Sequence, residues 1–163
     1  VLGADGLDVT GEVAMKYMHD LPALSERRYG KTEAYGSNMA DGQGIGSPGC
    51  NAGVPEQSYK KIGCSRDGFV TDLSWGYRLR TIADYNNVFA GINLKPNLSF
   101  SHDVDGYGPN GLFNEGSKAV SIGLDAEYQN TYTASLSYTD FFGGDFNTPV
   151  DRDFLAFSVG VNF

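Results

Sequence analysis

No run of about 18 consecutive apolar residues occurs in the 163-residue chain, so the sequence predicts no transmembrane helix. Basic residues are also scarce, because 12 lysines and arginines stand against 20 aspartates and glutamates, for a net charge of −8. Without a basic stripe to neutralise phosphates, nucleic acid is excluded as a partner. The length suits one domain with a core. The chain begins at Val1 without a signal-peptide pattern, so we expect a processed start or a piece of a longer protein.

The chain is rich in residues that favour β structure. It contains 22 glycines, 10 tyrosines and 10 phenylalanines but only 6 prolines. Six segments alternate apolar with small or polar residues, each near the roughly 9–11 residues with which a tilted strand crosses a bilayer. These segments are LDVTGEVAMKYMHDL, TDLSWGYRLRT, GINLKPNLSFS, AVSIGLDAEY, TYTASLSYTDF and DFLAFSVGVNF. Strict alternation predicts strands whose two faces meet different environments.

Short and long connections alternate between these segments. QNT (129–131) and ADYNNV (83–88) are short, whereas 20–68, 104–118 and 143–152 are long and rich in turn-forming residues. Bacterial outer-membrane barrels have this asymmetry, with short periplasmic turns and long extracellular loops. Aromatic residues also gather at the strand ends, as a membrane-interface belt would require: Tyr17, Tyr85, Tyr128, Tyr132, Phe141, Phe142 and Phe163.

Two architectures share the strand pattern. A soluble β-sandwich turns its apolar face inward, whereas a transmembrane barrel turns that face to lipid. Two features favour an all-β, antiparallel transmembrane β-barrel. Charged residues occur at the strand positions that alternate with the apolar ones, and the lengths of the loops alternate. About six strands are fewer than the eight of small outer-membrane barrels, so we expect them to be part of a larger one. The side chains expected to face lipid include Leu73, Trp75, Tyr77, Leu94, Leu98, Leu124 and Leu136.

We expect the functional residues on the polar side of the strands, at the positions that alternate with the apolar ones. The charged residues of that side are predicted to line the lumen: Glu12, Lys16, Asp72, Arg78, Arg80, Lys95, Asp125 and Glu127. They set the field that a passing solute feels, or they form an ion-pair network that plugs and stiffens the interior. The sequence leaves both interpretations open.

Both cysteines, Cys50 and Cys64, lie in the longest connection, 20–68. In an oxidising periplasm, two cysteines this close in a glycine-rich loop are expected to form a disulfide. Such a bridge contributes about 3 kcal/mol in the chain-entropy account. The alternatives are two free thiols or metal ligands, and the metal reading is poor because that loop holds no histidine and no further cysteine.

Other motifs carry little chemistry. DGQGIGSPG (41–49) resembles a nucleotide-binding glycine motif but opens no helix. DVDGYGPNGLFNE (103–115) offers Asp103 and Asp105 as weak calcium candidates, with Asn110 and Glu115, yet it does not have EF-hand spacing. No catalytic constellation surrounds the two histidines. We therefore expect no enzyme activity and no cofactor. Pro96 interrupts an expected strand and marks a bulge or a locally opened edge.

Five stretches carry a resemblance to a known family: SWGYRLR, NLKPNLSFSHDVDGYGP, EGSKAVSIGL, LSYTDFFGG and DRDFLAFSVGVNF. They resemble the C-terminal part of a proteobacterial outer-membrane β-barrel family of unknown function that is common in pseudomonads. The similarity covers most of the chain from Thr71 onward, and GEVAMKYMHDLP near the start fits less specifically.

The resemblance implies a location and partners. Members are much longer, so residues 1–163 would be the C-terminal portion of a barrel closed by N-terminal strands of the same polypeptide, with 20–68 an extracellular loop. The family is associated with lipid-type resistance-nodulation-division exporters of the inner membrane. The last strand, with Phe157, Val159, Val161 and Phe163, resembles the signal read by the barrel-assembly machinery. We expect passage or export of small, hydrophobic molecules through the bacterial outer membrane; the alternative is a closed structural or receptor barrel or partner platform at the cell surface.

Overall fold

The computed structural model describes residues 3–24, 26–27, 29–30 and 67–162. Six strands follow the alternating segments: β1 (Gly6–Tyr17), β2 (Leu73–Phe89), β3 (Ile92–Asp105), β4 (Lys118–Tyr128), β5 (Tyr132–Phe142) and β6 (Phe154–Val161). They form one antiparallel sheet in chain order, which confirms the all-β prediction. A single 3₁₀ turn, Pro109–Gly111, is the only helical element in these ranges. No helix among the described residues is long and apolar enough to cross a membrane.

The connections at one end of the sheet, the short-turn end, are tight hairpins. Gln129 and Asn130 both have positive φ (52° and 53°), as a two-residue type I′ turn requires. The other hairpin turns at Ala90 and Gly91, with φ of 51° and 85°. The prediction of a link at 83–88 was therefore wrong, because β2 continues through it to Phe89 with a register shift between Tyr85 and Phe89.

The sheet has one apolar face that is exposed along all six strands. Register places Leu124 directly opposite Pro96 and Leu136, and Leu136 opposite Phe157. Val13, Phe157 and Val159 expose 67%, 70% and 73% of their surface. No second sheet covers this face within residues 3–24 and 67–162. A soluble sandwich would bury such a face.

Pro96 lies inside β3 without shifting its register against β4, where it pairs with Leu124. On the other side, the pairing with β2 stops at Ile82–Asn97 and resumes at Tyr85–Leu94. Proline has no N–H to donate to a ladder, which accounts for the interruption. The ladder is thus locally opened and not bulged at this point.

The buried core lies in the loops at the other end of the sheet, the loop end. We call the segments 67–72, 106–117 and 143–149 the loop cap. Phe69 and Phe113 each expose only 4% of their surface, and Phe146 exposes 5%. Thr71 N–H donates to the Tyr107 carbonyl (3.0 Å), and Asn114 Nδ2 donates to the Phe146 carbonyl (2.6 Å). These bonds tie all three segments together.

Tyr107 makes the stability of the loop cap dependent on pH. Its ring meets that of Phe146 edge-on at 5.6 Å. Burial, and then the negative charges of Glu115, Asp145 and Asp67, raise the pKa of Tyr107 to about 12. The contribution of the neutral phenol is complete below about pH 10, the unfolded value. It is lost as the pH rises to about 12, because the unfolded chain releases this proton first.

We therefore expect the urea midpoint of unfolding to fall between pH 10 and 12, and the Tyr107→Phe variant to fall less over the same interval. The variant keeps the ring packing and removes the titrating proton. Identical pH profiles for the two proteins would contradict this assignment.

Candidate functional site

Most polar residues of the six strands lie on the face opposite the exposed apolar one, whereas Thr81, His102, Lys118 and Asp140 lie on the apolar side. This polar face holds seven of the eight charged residues expected in the lumen, in three levels along the strands. Glu12, Arg78 and Arg80 lie at the middle of the sheet; Lys95, Asp125 and Glu127 lie toward the short-turn end; and Lys16 lies opposite Ser74 at the loop end. Asp72 precedes β2 and lines a separate recess beneath the loop cap with Leu21–Leu24.

The short-turn end of the polar face is acidic and internally bonded. Lys95 Nζ lies 3.5 Å from Asp84 Oδ1, and Asn97 Nδ2 donates to Asp125 Oδ2 at 3.1 Å. Ser135 and Ser158 share a hydroxyl–hydroxyl hydrogen bond of 2.7 Å. These contacts join β2, β3 and β4 to one another, and β5 to β6, through their side chains. This end fits the interpretation of a stiffening network.

Glycines make room for these side chains. A Cβ at Gly123 would lie 2.6 Å from Asn97 Oδ1, and one at Gly160 would lie 2.7 Å from Thr133 Oγ1. The Asn97 and Thr133 side chains therefore lie over neighbouring glycines on the polar face. Glycine in a strand commonly marks such a close approach.

The middle of the polar face, which we call the waist, has a different composition. Arg78 lies opposite Glu12 and Ser101, and Arg80 lies opposite Thr10 and Ser99. Ser121, on the next strand, accepts a hydrogen bond from Thr139 Oγ1 at 3.0 Å. A recess of about 410 Å³ opens over the two arginines and these hydroxyls. The guanidinium groups of Arg78 and Arg80 form no ion pair or hydrogen bond with any described residue.

Two phenylalanines lie in the same cross-strand rows as the arginines, at the loop end of β5 and the start of β6. Register places Phe141 beside Ala119 and Phe154 beside Thr139, and the two rings are 6.3 Å apart. Phe141 was expected in an interface belt but lies on the polar face. Alternation alone contains the signal, because Phe141 and Phe142 are adjacent and must face opposite sides.

A second recess, of about 650 Å³, lies between the waist and the loop cap. Arg78, Ser101 and Ala119 line both recesses, so the two are neighbours on one continuous surface. Asn114 Oδ1 and Ser117 Oγ are buried without a hydrogen-bond partner, and both residues line the second recess. The loops thus fold inward over the polar face.

The remaining predicted residues fall as follows. Asp103 Oδ2 accepts the Asn114 N–H at 3.1 Å, and Asp105 pairs with Trp75 at the end of β3. Within the described ranges, no group of three His, Cys, Asp or Glu residues could hold a metal ion. Phe157, Val159 and Val161 of the suggested assembly signal share the exposed apolar face. Cys50, Cys64 and Phe163 lie outside the described residues, so their assignments stay predictions.

Comparison with known proteins yields one result. A family model described as a protein of unknown function, DUF1302, matches residues 2–163. The match therefore includes β1 and the long connection as well as the part that begins at Thr71. Neither the curated proteins nor the solved structures contain a match.

Proposed function

The chain belongs to the DUF1302 family of proteins of unknown function, and we propose that it forms part of a transmembrane β-barrel in the bacterial outer membrane through which small molecules pass. The apolar face lies against lipid, and the polar face lines the lumen. The protein is not an enzyme in this proposal and needs no cofactor.

The exposed apolar face carries the proposal. It extends across six paired strands, with Lys118 and Asp140 at its loop end, and the opposite face carries charges, amides and hydroxyls. In water such a face would have to be covered by other protein, whereas a strand that faces lipid needs an apolar surface. A strand of 11 residues, such as β4, is about 34 Å long and spans about 25 Å at the usual tilt of barrel strands. That height matches the apolar band of outer-membrane barrels.

Aromatic residues border the apolar face at both ends. Tyr128 and Tyr132 stack at the short-turn end with 6.3 Å between ring centroids. Tyr17 and Phe142 lie at the loop end, where β1 and β5 finish. Aromatic rings at both membrane interfaces are a regular feature of transmembrane barrels.

The free edges support closure by further strands. β1 pairs only with β2 and β6 pairs only with β5 among the described residues. In lipid, each unpaired backbone group costs several kcal/mol. We propose that strands of the same polypeptide close the barrel, and that other copies of the chain are the second route. Membrane lipid, the barrel-assembly machinery and an inner-membrane exporter are the remaining partners in this proposal.

A closed receptor barrel or partner platform is the second candidate. The loop cap over one end and the bonded network at the short-turn end favour it, because both reduce the open cross-section. The two neighbouring recesses on the polar face favour passage.

Single-channel recording separates the two candidates. We expect the full polypeptide, folded into planar lipid bilayers, to give discrete conductance steps. Folded, heat-modifiable protein that inserts and gives no steps would refute passage and leave the closed barrel.

A further inference from the structure

We infer that the waist binds amphipathic anions, with the acidic group at Arg78 and Arg80 and the apolar body against Phe141 and Phe154. This inference names the class of solute for the proposed passage and therefore rests on it. It depends on the residues that register brings together across β2 to β6.

No carboxylate in the part of the chain that the structure describes forms an ion pair with the two arginines of the waist. Arg78 and Arg80 are two positions apart on β2 and so face the same side. Neither forms an ion pair with a described residue, including Glu12, which is directly opposite Arg78. Lys95, by contrast, has Asp84 as its partner at 3.5 Å. Guanidinium groups bind carboxylate, phosphate or sulfate through paired N–H donors.

Hydroxyl groups extend the anion site along the strands next to the arginines. Ser99 and Ser101 lie directly opposite Arg80 and Arg78, and Ser121 follows on β4. Each hydroxyl can donate one hydrogen bond to an anionic oxygen. All three line the same recess of about 410 Å³ as the arginines.

The aromatic part of the proposed site lies three strands away from Arg78 on the same polar face. At about 4.8 Å between strands, Phe141 is about 14 Å from Arg78 along the wall, with Ser101 and Ala119 between them. Register places these groups in two neighbouring cross-strand rows, Arg78–Ser101–Ala119–Phe141 and Arg80–Ser99–Ser121–Thr139–Phe154, and Arg78 and Phe141 line the same recess of about 650 Å³. A solute with an acidic head and an apolar tail of several carbons fits this order.

Octanoate tests the inference, with octan-1-ol as its uncharged analogue and acetate as the tail-less one. Binding is measured by calorimetry on the full polypeptide in nanodiscs, with empty nanodiscs subtracted. We expect octanoate to bind more tightly than either control. Arg78→Gln with Arg80→Gln should weaken octanoate binding by about tenfold to a hundredfold and leave octanol unchanged. Lys95→Gln, at a cation that is already paired, should leave octanoate binding unchanged.

Two further variants keep the test independent of folding defects. Glu12→Gln removes the carboxylate directly opposite Arg78 and should strengthen octanoate binding, a gain that misfolding cannot produce. Phe141→Ala with Phe154→Ala should weaken octanoate by about tenfold without affecting acetate.

The inference would be overturned if octanoate bound no more tightly than octanol. It would also be overturned if the arginine variant and the Lys95 variant lost octanoate affinity equally. Conductance separates this failure from that of the proposed function. Conductance without selective octanoate binding would refute the anion site and leave the proposed passage standing. Selective octanoate binding without conductance would support the site and refute passage.

Discussion

Arginine in place of Leu136 is expected to lower the free energy of unfolding of the membrane-inserted protein by about 2–4 kcal/mol. Leu136 lies halfway along β5 on the apolar face, between Leu124 and Phe157 of the neighbouring strands. At that depth a guanidinium would be furthest from water on either side. The free energy is measured by guanidinium chloride unfolding from liposomes.

Ser137 provides the matched control, because it is the next residue of β5 and faces the polar side between Gly123 and Ala156. The Ser137→Arg variant carries the same charge at the same depth, yet its cost should stay within about 0.5 kcal/mol. Equal losses in the two variants would contradict the assignment of the faces.

Alanine in place of Gly106 is expected to open the loop cap. Gly106 has a φ of +78°, and a Cβ there would lie 2.1 Å from the Leu73 carbonyl oxygen and 2.5 Å from Thr71 Oγ1. The backbone conformation alone costs about 1–3 kcal/mol for a residue with a side chain, and the collision with backbone adds to it. Amide exchange at Thr71, whose N–H donates to the Tyr107 carbonyl, should accelerate by about a hundredfold.

Gly111 separates the collision from the backbone strain. Its φ of +71° is similar, but nothing lies within 4 Å of the added Cβ. We expect the Gly111→Ala variant to keep the Thr71 amide protected, since its effect is confined to an open turn. Equal acceleration in both variants would show that the close approach of Gly106 to β2 does not hold the cap together.

Alternation was sufficient to predict the six strands and the two faces, because a period of two fixes the side on which each residue lies. Alternation did not predict where β2 ends, because a contact with a distant residue determines that end. Asn86 and Asn87 favour a turn by composition, but the Asn86 N–H donates to Asp5 Oδ2 at 2.6 Å, which extends β2 past the expected link. Local propensity gives way here to a contact made 81 residues away.

The waist could be predicted only in part. Arg78 and Arg80 were expected on the polar face from alternation. Their position between Glu12, Thr10, Ser99 and Ser101 depends on register, which the hairpin turns and bulges set. The loop cap could not be predicted from the sequence either, because its buried residues Phe69, Phe113 and Phe146 come from three separate connections.

Spin-label accessibility along β5 tests the central claim most directly. Single labels are placed at 133–138 of the full polypeptide in liposomes, on a background with alanine at Cys50 and Cys64. A lipid-facing apolar side predicts oxygen accessibility that peaks at Ala134, Leu136 and Tyr138, and nickel-chelate accessibility that peaks at Thr133, Ser135 and Ser137. Nickel-chelate accessibility that peaks at Leu136 and Tyr138, or no alternation at all, would contradict a barrel wall.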